Sequence, residues 1–116
     1  MNATAQETIS WQDFTKVDMR VGTIVKAELF KEARNPAYKM EIDFGALGIK
    51  KTSAQITALY TPENLLGKQV VAVVNFPKKQ IATIMSECLV LGGLGDDKEV
   101  TLLNPERPVK NGTKIA

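Results

Sequence analysis

The chain has 116 residues, of which 44% are hydrophobic and 24% are charged, proportions typical of a globular protein rather than a disordered or fibrous one. A chain of this length can form one domain that buries about two-thirds of the surface it exposes when unfolded. The net charge of +2 is too small to mark a nucleic-acid-binding protein by itself, and the absence of histidine excludes Ser-His-Asp and Cys-His catalytic sites within the chain.

The first residues predict a polar segment followed by a short helix. Residues 1–6 lack the basic start and apolar core of a secretory signal, so we expect a cytoplasmic protein. Ser10 is a favourable N-cap and Asp13 follows it by three positions, a spacing that predicts a helix over residues 10–15.

The next two segments predict the start of a β-sheet. Residues 19–30 are rich in β-branched side chains and contain Gly22, which predicts a long strand that bends or bulges at the glycine. Residues 40–44 alternate apolar and acidic side chains, so one face of this strand should point inward. Glycines on both sides of a turn then lead into residues 49–54, and the two strands form a predicted hairpin.

The middle of the chain predicts a helical insertion and a buried strand. Residues 56–66 contain Thr61 and Pro62, a capping residue followed by the residue best suited to the first helical position. Residues 70–74 are all apolar, which predicts a buried strand. This run is far shorter than the ~20 residues that a membrane-spanning helix requires.

Short strands and glycine-rich turns are predicted for the last third. Residues 81–85 and 88–91 predict two more strands, and residues 92–97 have the composition of a turn. Residues 100–103 predict extended structure, and the Asn-Gly pair at 111–112 predicts a tight type I′ turn.

These elements together predict an all-β domain that spans residues 1–116. We expect a five-stranded Greek-key barrel of the OB-fold, with a short N-terminal helix, a helical insertion between strands 3 and 4, and a β-like C-terminal extension. The one cysteine, Cys88, excludes an intrachain disulfide and is expected to be a buried small hydrophobe rather than a reactive thiol.

The run DMRVGTIVKA at residues 18–27 resembles the opening strand of tRNA-binding-domain-like proteins. Further family segments follow in order: SAQI at 53–56, GKQV at 67–70, VVNFP at 73–77 and SECLVL at 86–91. The resemblance covers about residues 14–116. Within this superfamily the chain is most similar to CsaA-type export chaperones, notably in Phe44-Gly45 and in the tail PVKNGTKI at 108–115.

This resemblance implies a homodimer that holds unfolded preproteins for the export machinery. No phosphate-cradling glycine loop of the Walker type occurs, so we expect no nucleotide or other cofactor. Binding of tRNA or other RNA is the alternative, because the same barrel occurs in tRNA binders. One departure counts against strong tRNA binding: the tRNA-binding members usually continue Ser-Glu with Gly-Met, whereas Ser86-Glu87 is followed here by Cys88-Leu89. The missing glycine would have permitted a close backbone approach.

The candidate ligand-binding residues lie on the predicted third strand and on the segments around residues 75–87, the faces that OB barrels use for extended polymers. The lysine pairs 50–51 and 78–79 could contact phosphates or merely solubilise exposed strand edges. Phe76 could contact a base or an apolar peptide side chain, or it could plug the core. Ser86-Glu87 could bind ligand or satisfy a local turn. The complete candidate set is Lys39, Lys50, Lys51, Ser53, Asn75, Phe76, Lys78, Lys79, Ile84, Ser86 and Glu87.

Apolar residues near both ends of the sequence exceed what one small barrel covers, and the resemblance implies that the terminal extensions form a dimer contact. The candidate interface residues are Ile9, Trp11, Phe14, Leu102, Leu103, Pro108 and Val109. An enzyme using Glu87 with Asp18 is set aside, because no pattern places these carboxylates at a catalytic separation. We therefore expect a binding module without a metal site and without catalysis.

Overall fold

A computed structural model describes residues 7–116 of the chain, which form nine short strands and two short helices. The strands are Met19–Leu29 (β1), Tyr38–Asp43 (β2), Ile49–Ala54 (β3), Gln69–Val73 (β4), Lys79–Ile81 (β5), Ile84–Ser86 (β6), Leu89–Val90 (β7), Gly92–Leu94 (β8) and Val100–Leu102 (β9). The helices are Trp11–Thr15 (α1) and Pro62–Leu65 (α2), and a 3-10 turn covers Gly45–Leu47. Within residues 7–116, no helix has the length and apolar character needed to cross a membrane.

Five strands form one antiparallel sheet in the order β3-β2-β1-β4-β7, which curls into a nearly closed barrel. The edge strand β3 meets the other end of the sheet at Glu87, whose backbone N–H donates to the Lys51 carbonyl at 2.8 Å. The helix α2 lies between β3 and β4, as predicted. The prediction of a five-stranded OB-like barrel with a helical insertion is therefore confirmed.

The barrel interior is filled by the apolar face of the predicted hairpin. Met40, Ile42 and Phe44 are each at most 2% exposed, as their alternation with polar residues predicts. A Cβ atom at Gly22 would lie 2.7 Å from Ile42 Cγ2 and from Phe44 Cδ1, so the glycine makes room for these side chains. The strand irregularity expected at Gly22 lies instead between Ile24 and Lys26, where the register with β2 shifts.

Both helices begin at the predicted capping residues. In α1 the Asp13 N–H donates to Ser10 Oγ at 3.0 Å, and the Ser10 N–H donates back to the Asp13 carboxylate at 3.3 Å. In α2 the same reciprocal arrangement joins Thr61 and Asn64. Each cap satisfies two groups that a helix end leaves unpaired, which allows such short helices to form.

Two predicted elements of the last third are wrong. Residues 81–85 do not form one strand, because the chain reverses after Ile81 through Ala82, which has a φ of 47°. The result is the β5–β6 hairpin, a separate two-stranded sheet. Residues 92–94 were expected in a turn but form β8, paired with β9, and the turn follows at residues 95–99.

The C-terminal tail extends the sheet beside the first half of β1, as a β-like extension should. The Val21 N–H donates to the Thr113 carbonyl at 2.9 Å, and the Val21 carbonyl accepts from the Gly112 N–H at 2.7 Å. The turn at Asn111 is not of type I′, because only Gly112 has a positive φ, of 90°. Type I′ requires a positive φ at both central residues.

Candidate functional site

A shallow groove of about 150 Å³, called the charged groove, lies on the outer face of β1, β2 and β3. The alternation of each strand places apolar residues inside the barrel and charged residues in this groove. Its lining residues are Lys26, Glu28, Lys39, Met40, Glu41, Lys51 and Ile84. Ile84 comes from the β5–β6 hairpin, so the groove is bounded by both the barrel and the hairpin.

Charges of opposite sign face each other across β1 and β2 in the charged groove. The register pairs Lys26 with Glu41 and Glu28 with Lys39. Lys26 Nζ is 4.0 Å from Glu41 Oε2, and Lys39 Nζ is 3.4 Å from Glu28 Oε1. Lys39 Nζ also lies 5.6 Å from the centre of the Phe30 ring. The groove therefore offers both cations and anions, mostly as matched pairs.

A second cavity, called the hairpin cavity, adjoins the charged groove and has a volume of about 480 Å³. It is lined by Lys51, Thr83, Ile84, Met85 and Glu87. Lys51 and Ile84 line both cavities. The two cavities thus form one continuous surface along β3 and the β5–β6 hairpin.

Glu87 connects β3 to the end of the β5–β6 hairpin through both its backbone and its carboxylate. The Lys51 N–H donates to Glu87 Oε1 at 2.9 Å, and Lys78 Nζ lies 3.6 Å from Glu87 Oε2. The hydrogen bond from the Lys51 backbone is the largest influence on the Glu87 pKa, which is lowered from its ordinary value despite an opposing effect of burial. Lys78 and Lys50 lower the pKa further, so the carboxylate is stabilised as an anion.

A third cavity, called the apolar pocket, lies on the side of the β5–β6 hairpin that contains Ser86 and has a volume of about 430 Å³. Its lining residues are Phe76, Pro77, Lys78, Lys79, Ser86, Cys88 and Leu89. Phe76 is 56% exposed and Leu89 is 49% exposed, so neither side chain belongs to the barrel interior. The alternative that Phe76 plugs the core is therefore wrong.

Cys88 lies at the inner side of the apolar pocket as a buried thiol. Its side chain is 6% exposed, and the loss of solvation raises the pKa of the thiol to about 11. The Thr52 hydroxyl donates to the Cys88 carbonyl at 2.8 Å, which ties the pocket to β3. A thiol with this pKa is almost wholly protonated at neutral pH, as expected for a structural cysteine.

Most of the predicted site residues line these three cavities, and the others lie outside them. Lys39 and Lys51 line the charged groove, Ile84 and Glu87 the hairpin cavity, and Phe76, Lys78, Lys79 and Ser86 the apolar pocket. Lys50 and Ser53 line none of the three cavities.

The Asn75 side chain forms two hydrogen bonds within the fold that were not predicted from the sequence. Its amide group donates to the Lys16 carbonyl at 2.7 Å and accepts from the Asp18 N–H at 3.0 Å. These two bonds fasten the segment before β1 to the end of β4. The Ser86 hydroxyl also forms hydrogen bonds within the fold, at 3.3 Å from both the Thr52 hydroxyl and the Cys88 carbonyl.

Besides the buried Met40, sequence reasoning missed three charged residues of the charged groove, namely Lys26, Glu28 and Glu41. A signal for them exists, because Lys-x-Glu occurs at residues 26–28 and again at residues 39–41. In two antiparallel strands that are suitably aligned, this repeat places each lysine opposite a glutamate. The alignment itself could not be read from the sequence.

The predicted dimer residues are partly exposed in this chain. Ile9 is 69% exposed and Trp11 is 71% exposed, and the Trp11 ring lies 5.4 Å from the Phe14 ring. Leu103 is 48% exposed and Pro108 is also exposed. The other three, Phe14, Leu102 and Val109, are half-buried. Leu102 packs against the core, and the Val109 backbone bonds to the side chain of Gln69.

Comparison with known proteins identifies the family. A family model described as "Putative tRNA binding domain" matches residues 19–114. The crystal structure of chaperone CsaA from Bacillus anthracis is 54% identical with a TM-score of 0.91, over 95% of this chain and 100% of that chain. The CsaA chaperone from Picrophilus torridus is 49% identical with a TM-score of 0.88, over 94% of this chain and 100% of that chain.

A curated relative is a much larger protein. The methionine–tRNA ligase of Methanococcoides burtonii is 33% identical over 110 residues, which are 95% of this chain but only 16% of the ligase. The resemblance predicted from the sequence motifs is thus confirmed. Because the family model covers residues 19–114, the chain belongs to the tRNA-binding domain family, and CsaA chaperones are similar to it in sequence and fold.

Proposed function

We propose that this protein is a cytoplasmic chaperone that binds extended segments of unfolded preproteins reversibly and passes them to the export machinery. The observation that carries the proposal is the combination of an apolar pocket with a groove whose charges are of both signs. A polypeptide carries apolar, cationic, anionic and hydrogen-bonding groups, and this surface offers a partner to each. The similarity to CsaA chaperones supports the proposal.

The apolar pocket is proposed to take an apolar side chain of the bound segment. Phe76 and Leu89 line this pocket, and about half of each side chain is left exposed by the described residues. Removing apolar surface from water contributes about 25 cal/mol per Å², so even one inserted side chain contributes noticeably to binding. A pocket of about 430 Å³ is within the usual range for ligand sites.

The charged groove and the hairpin cavity are proposed to hold the neighbouring part of the segment in extended form. Lys39, Lys51 and Glu87 would orient it through polar contacts, and Ile84 would add an apolar contact. Binding of this kind involves no bond-making step. We therefore propose that the protein works by affinity and mass action, without catalysis or a cofactor.

We further propose a C2 homodimer formed through the exposed apolar residues of the terminal segments. Ile9, which precedes the N-cap of α1, and Trp11, the first residue of α1, are about 70% exposed, and this five-residue helix buries none of its residues. An isologous interface would cover this surface and place two identical binding surfaces on one particle. A long unfolded chain could then contact both, which raises its overall affinity without a new type of contact.

Binding of tRNA or other RNA is the second candidate function. The family model supports it, and so does the grouping of Lys50, Lys51 and Lys78 around Glu87. In this case the lysines would contact phosphates, and recognition would depend on shape more than on bases. Phe76 alone provides little for base stacking.

The proposed function is tested by measuring the suppression of aggregation of a chemically denatured protein by wild type and by Phe76→Ala. We expect Phe76→Ala to lose most of the suppression. The matched control is Leu66→Ala, which removes an apolar side chain of similar exposure, 52%, that lines none of the three cavities. Equal suppression by all three proteins would contradict the proposal.

The two candidate functions are separated by salt. Log affinity for RNA falls steeply with log salt concentration, because each phosphate contact releases counterions. Apolar capture of a peptide should change little over the same range. We expect peptide binding to be nearly equal at 50 and 200 mM salt. Tight RNA binding that falls steeply over the same range, without peptide binding, would favour the RNA function.

The dimer is tested by light scattering at micromolar concentration. We expect twice the mass of one 12.7 kDa chain, and Trp11→Ala should shift the mass toward the monomer. A wild-type particle of 12.7 kDa would refute the dimer.

A further inference from the structure

Two glutamates, Glu28 and Glu41, stand among the three lysines of the charged groove. Each lies directly opposite a lysine in the β1–β2 ladder, at 3.4 Å and 4.0 Å. Lys51, the third lysine of the groove, lies opposite Glu41 in the β2–β3 ladder, but its Nζ has no carboxylate oxygen within 4.0 Å among the described residues. The groove thus has one unmatched cation where its lysine content alone would suggest three.

This pairing has opposite consequences for a nucleic acid and for a polypeptide. A phosphate that approaches Lys26 or Lys39 also approaches the glutamate opposite, and the repulsion cancels much of the attraction. A polypeptide carries both signs of charge and neutral hydrogen-bonding groups, so it does not meet the same penalty. A feature that penalises the wrong partner creates specificity even where it adds nothing to the affinity for the right one.

The two glutamates make only a small contribution to the stability of the barrel. Their side chains are 47% and 35% exposed, and the cross-strand lysines are their ion-pair partners. Exposed cross-strand pairs of this kind contribute little to folding. Their position in the groove therefore calls for a functional explanation.

We propose that Glu28 and Glu41 are specificity-determining residues that exclude nucleic acid from the charged groove. Removing only these two charges would convert the groove into an RNA-binding surface with three unmatched lysines. This inference rests on the proposed function in that it takes the charged groove as the ligand-binding surface.

The test compares wild type with the double variant Glu28→Gln/Glu41→Gln, which keeps side-chain size and polarity. Affinity for a fluorescent 20-nucleotide oligouridylate is measured by anisotropy at 50, 100 and 200 mM salt. Two added phosphate contacts to single-stranded RNA should steepen the slope of log affinity against log salt by about 1.4 and strengthen binding at 100 mM on the order of tenfold.

The matched control is Glu99→Gln/Glu106→Gln, which changes the net charge equally at exposed residues outside the three cavities. It also releases a cation, because Glu106 pairs with Arg107 at 2.7 Å. We expect no change in the salt slope and less than a twofold change in RNA affinity. An equal gain in the control would overturn the proposal, because net charge alone would then explain the effect.

Two further results decide between the inference and the proposed function. The groove variant is the double variant Glu28→Gln/Glu41→Gln. If it and wild type bind RNA with the same affinity and salt slope, the inference is overturned, whether or not wild type suppresses aggregation. Wild type failing to suppress aggregation, while the groove variant still gains RNA affinity, would refute the chaperone proposal and support the inference. If the double variant melts early, the single variants Glu28→Gln and Glu41→Gln are each expected to gain about threefold at 100 mM salt.

Discussion

The barrel and the region of the β5–β6 hairpin differ in how deeply each buries a phenylalanine. Phe44, directly after β2, is 0% exposed and belongs to the hydrophobic core inside the barrel. Phe76, just before β5, is 56% exposed and lines the apolar pocket. The barrel strands form one five-stranded sheet, whereas β5 and β6 form a separate two-stranded sheet among residues 7–116.

This difference shows how the molecule separates stability from binding. Apolar surface that is buried in the barrel contributes to folding and is no longer available to a ligand. Apolar surface around the hairpin contributes little to folding, because it stays exposed to water. It can therefore contribute to the free energy of binding when a ligand covers it. Loss of a side chain should therefore affect one property in the barrel and the other at the hairpin.

The largest expected effect comes from making the same substitution in both regions. Phe44→Ala should lower the free energy of unfolding by about 3 to 5 kcal/mol, because it removes a fully buried ring and leaves a cavity. Phe76→Ala should change it by less than about 0.5 kcal/mol, as for an exposed position. Urea unfolding of both variants checks this, and similar losses would erase the distinction between the two regions.

Gly22→Ala tests how tightly the barrel is packed. The added Cβ would lie 2.7 Å from Ile42 Cγ2 and from Phe44 Cδ1, so neighbours must move. Overpacking of this kind costs about 1 to 3 kcal/mol. In the double variant with Phe44→Leu, the combined loss should be smaller than the sum of the two single losses, because the smaller side chain leaves room. Strict additivity would show that the contact is unimportant.

Glu87 joins the two regions, and its substitution tests that connection. Glu87→Ala removes the acceptor of the Lys51 N–H and the partner of Lys78, and should cost about 1 to 2 kcal/mol in thermal or urea unfolding. Glu87→Gln keeps a neutral acceptor and should lose about half as much. If the two variants are equally destabilised, the hydrogen bond to Lys51 is not the main contribution.

The smallest expected effect is the pH dependence of that connection. The Glu87 pKa is lowered in the folded protein from its ordinary value of 4.5, chiefly by the hydrogen bond from Lys51. Its stabilising contribution is therefore fully present above pH 4.5 and is lost as the pH falls through the folded pKa. The difference in urea midpoint between wild type and Glu87→Gln should be larger at pH 7 than at pH 3. A difference that does not change with pH would contradict this assignment.

The features that could be predicted from the sequence are those with local causes. Ser10 with Asp13 predicted the cap of α1, and the alternation over residues 40–44 predicted the buried face of β2. The β5–β6 hairpin at residues 79–86 was missed, because an alanine at positive φ gives no signal of a turn. Among the site residues, Phe76 and Lys51 were found from motif and charge, whereas Glu28 and Glu41 were missed.

The fold class, the helix caps, the inward face of the β2–β3 hairpin and the family could all be predicted, because each depends on residues near one another in the chain or on the order of motifs. The pairing of Lys26 with Glu41, the bond between Lys51 and Glu87, and the exposure of Phe76 became visible only in the folded molecule. Lys51 and Glu87 are 36 positions apart, and only the strand register and the closure of the barrel bring them into contact. Register is a property of the whole sheet, and no local pattern specifies it completely.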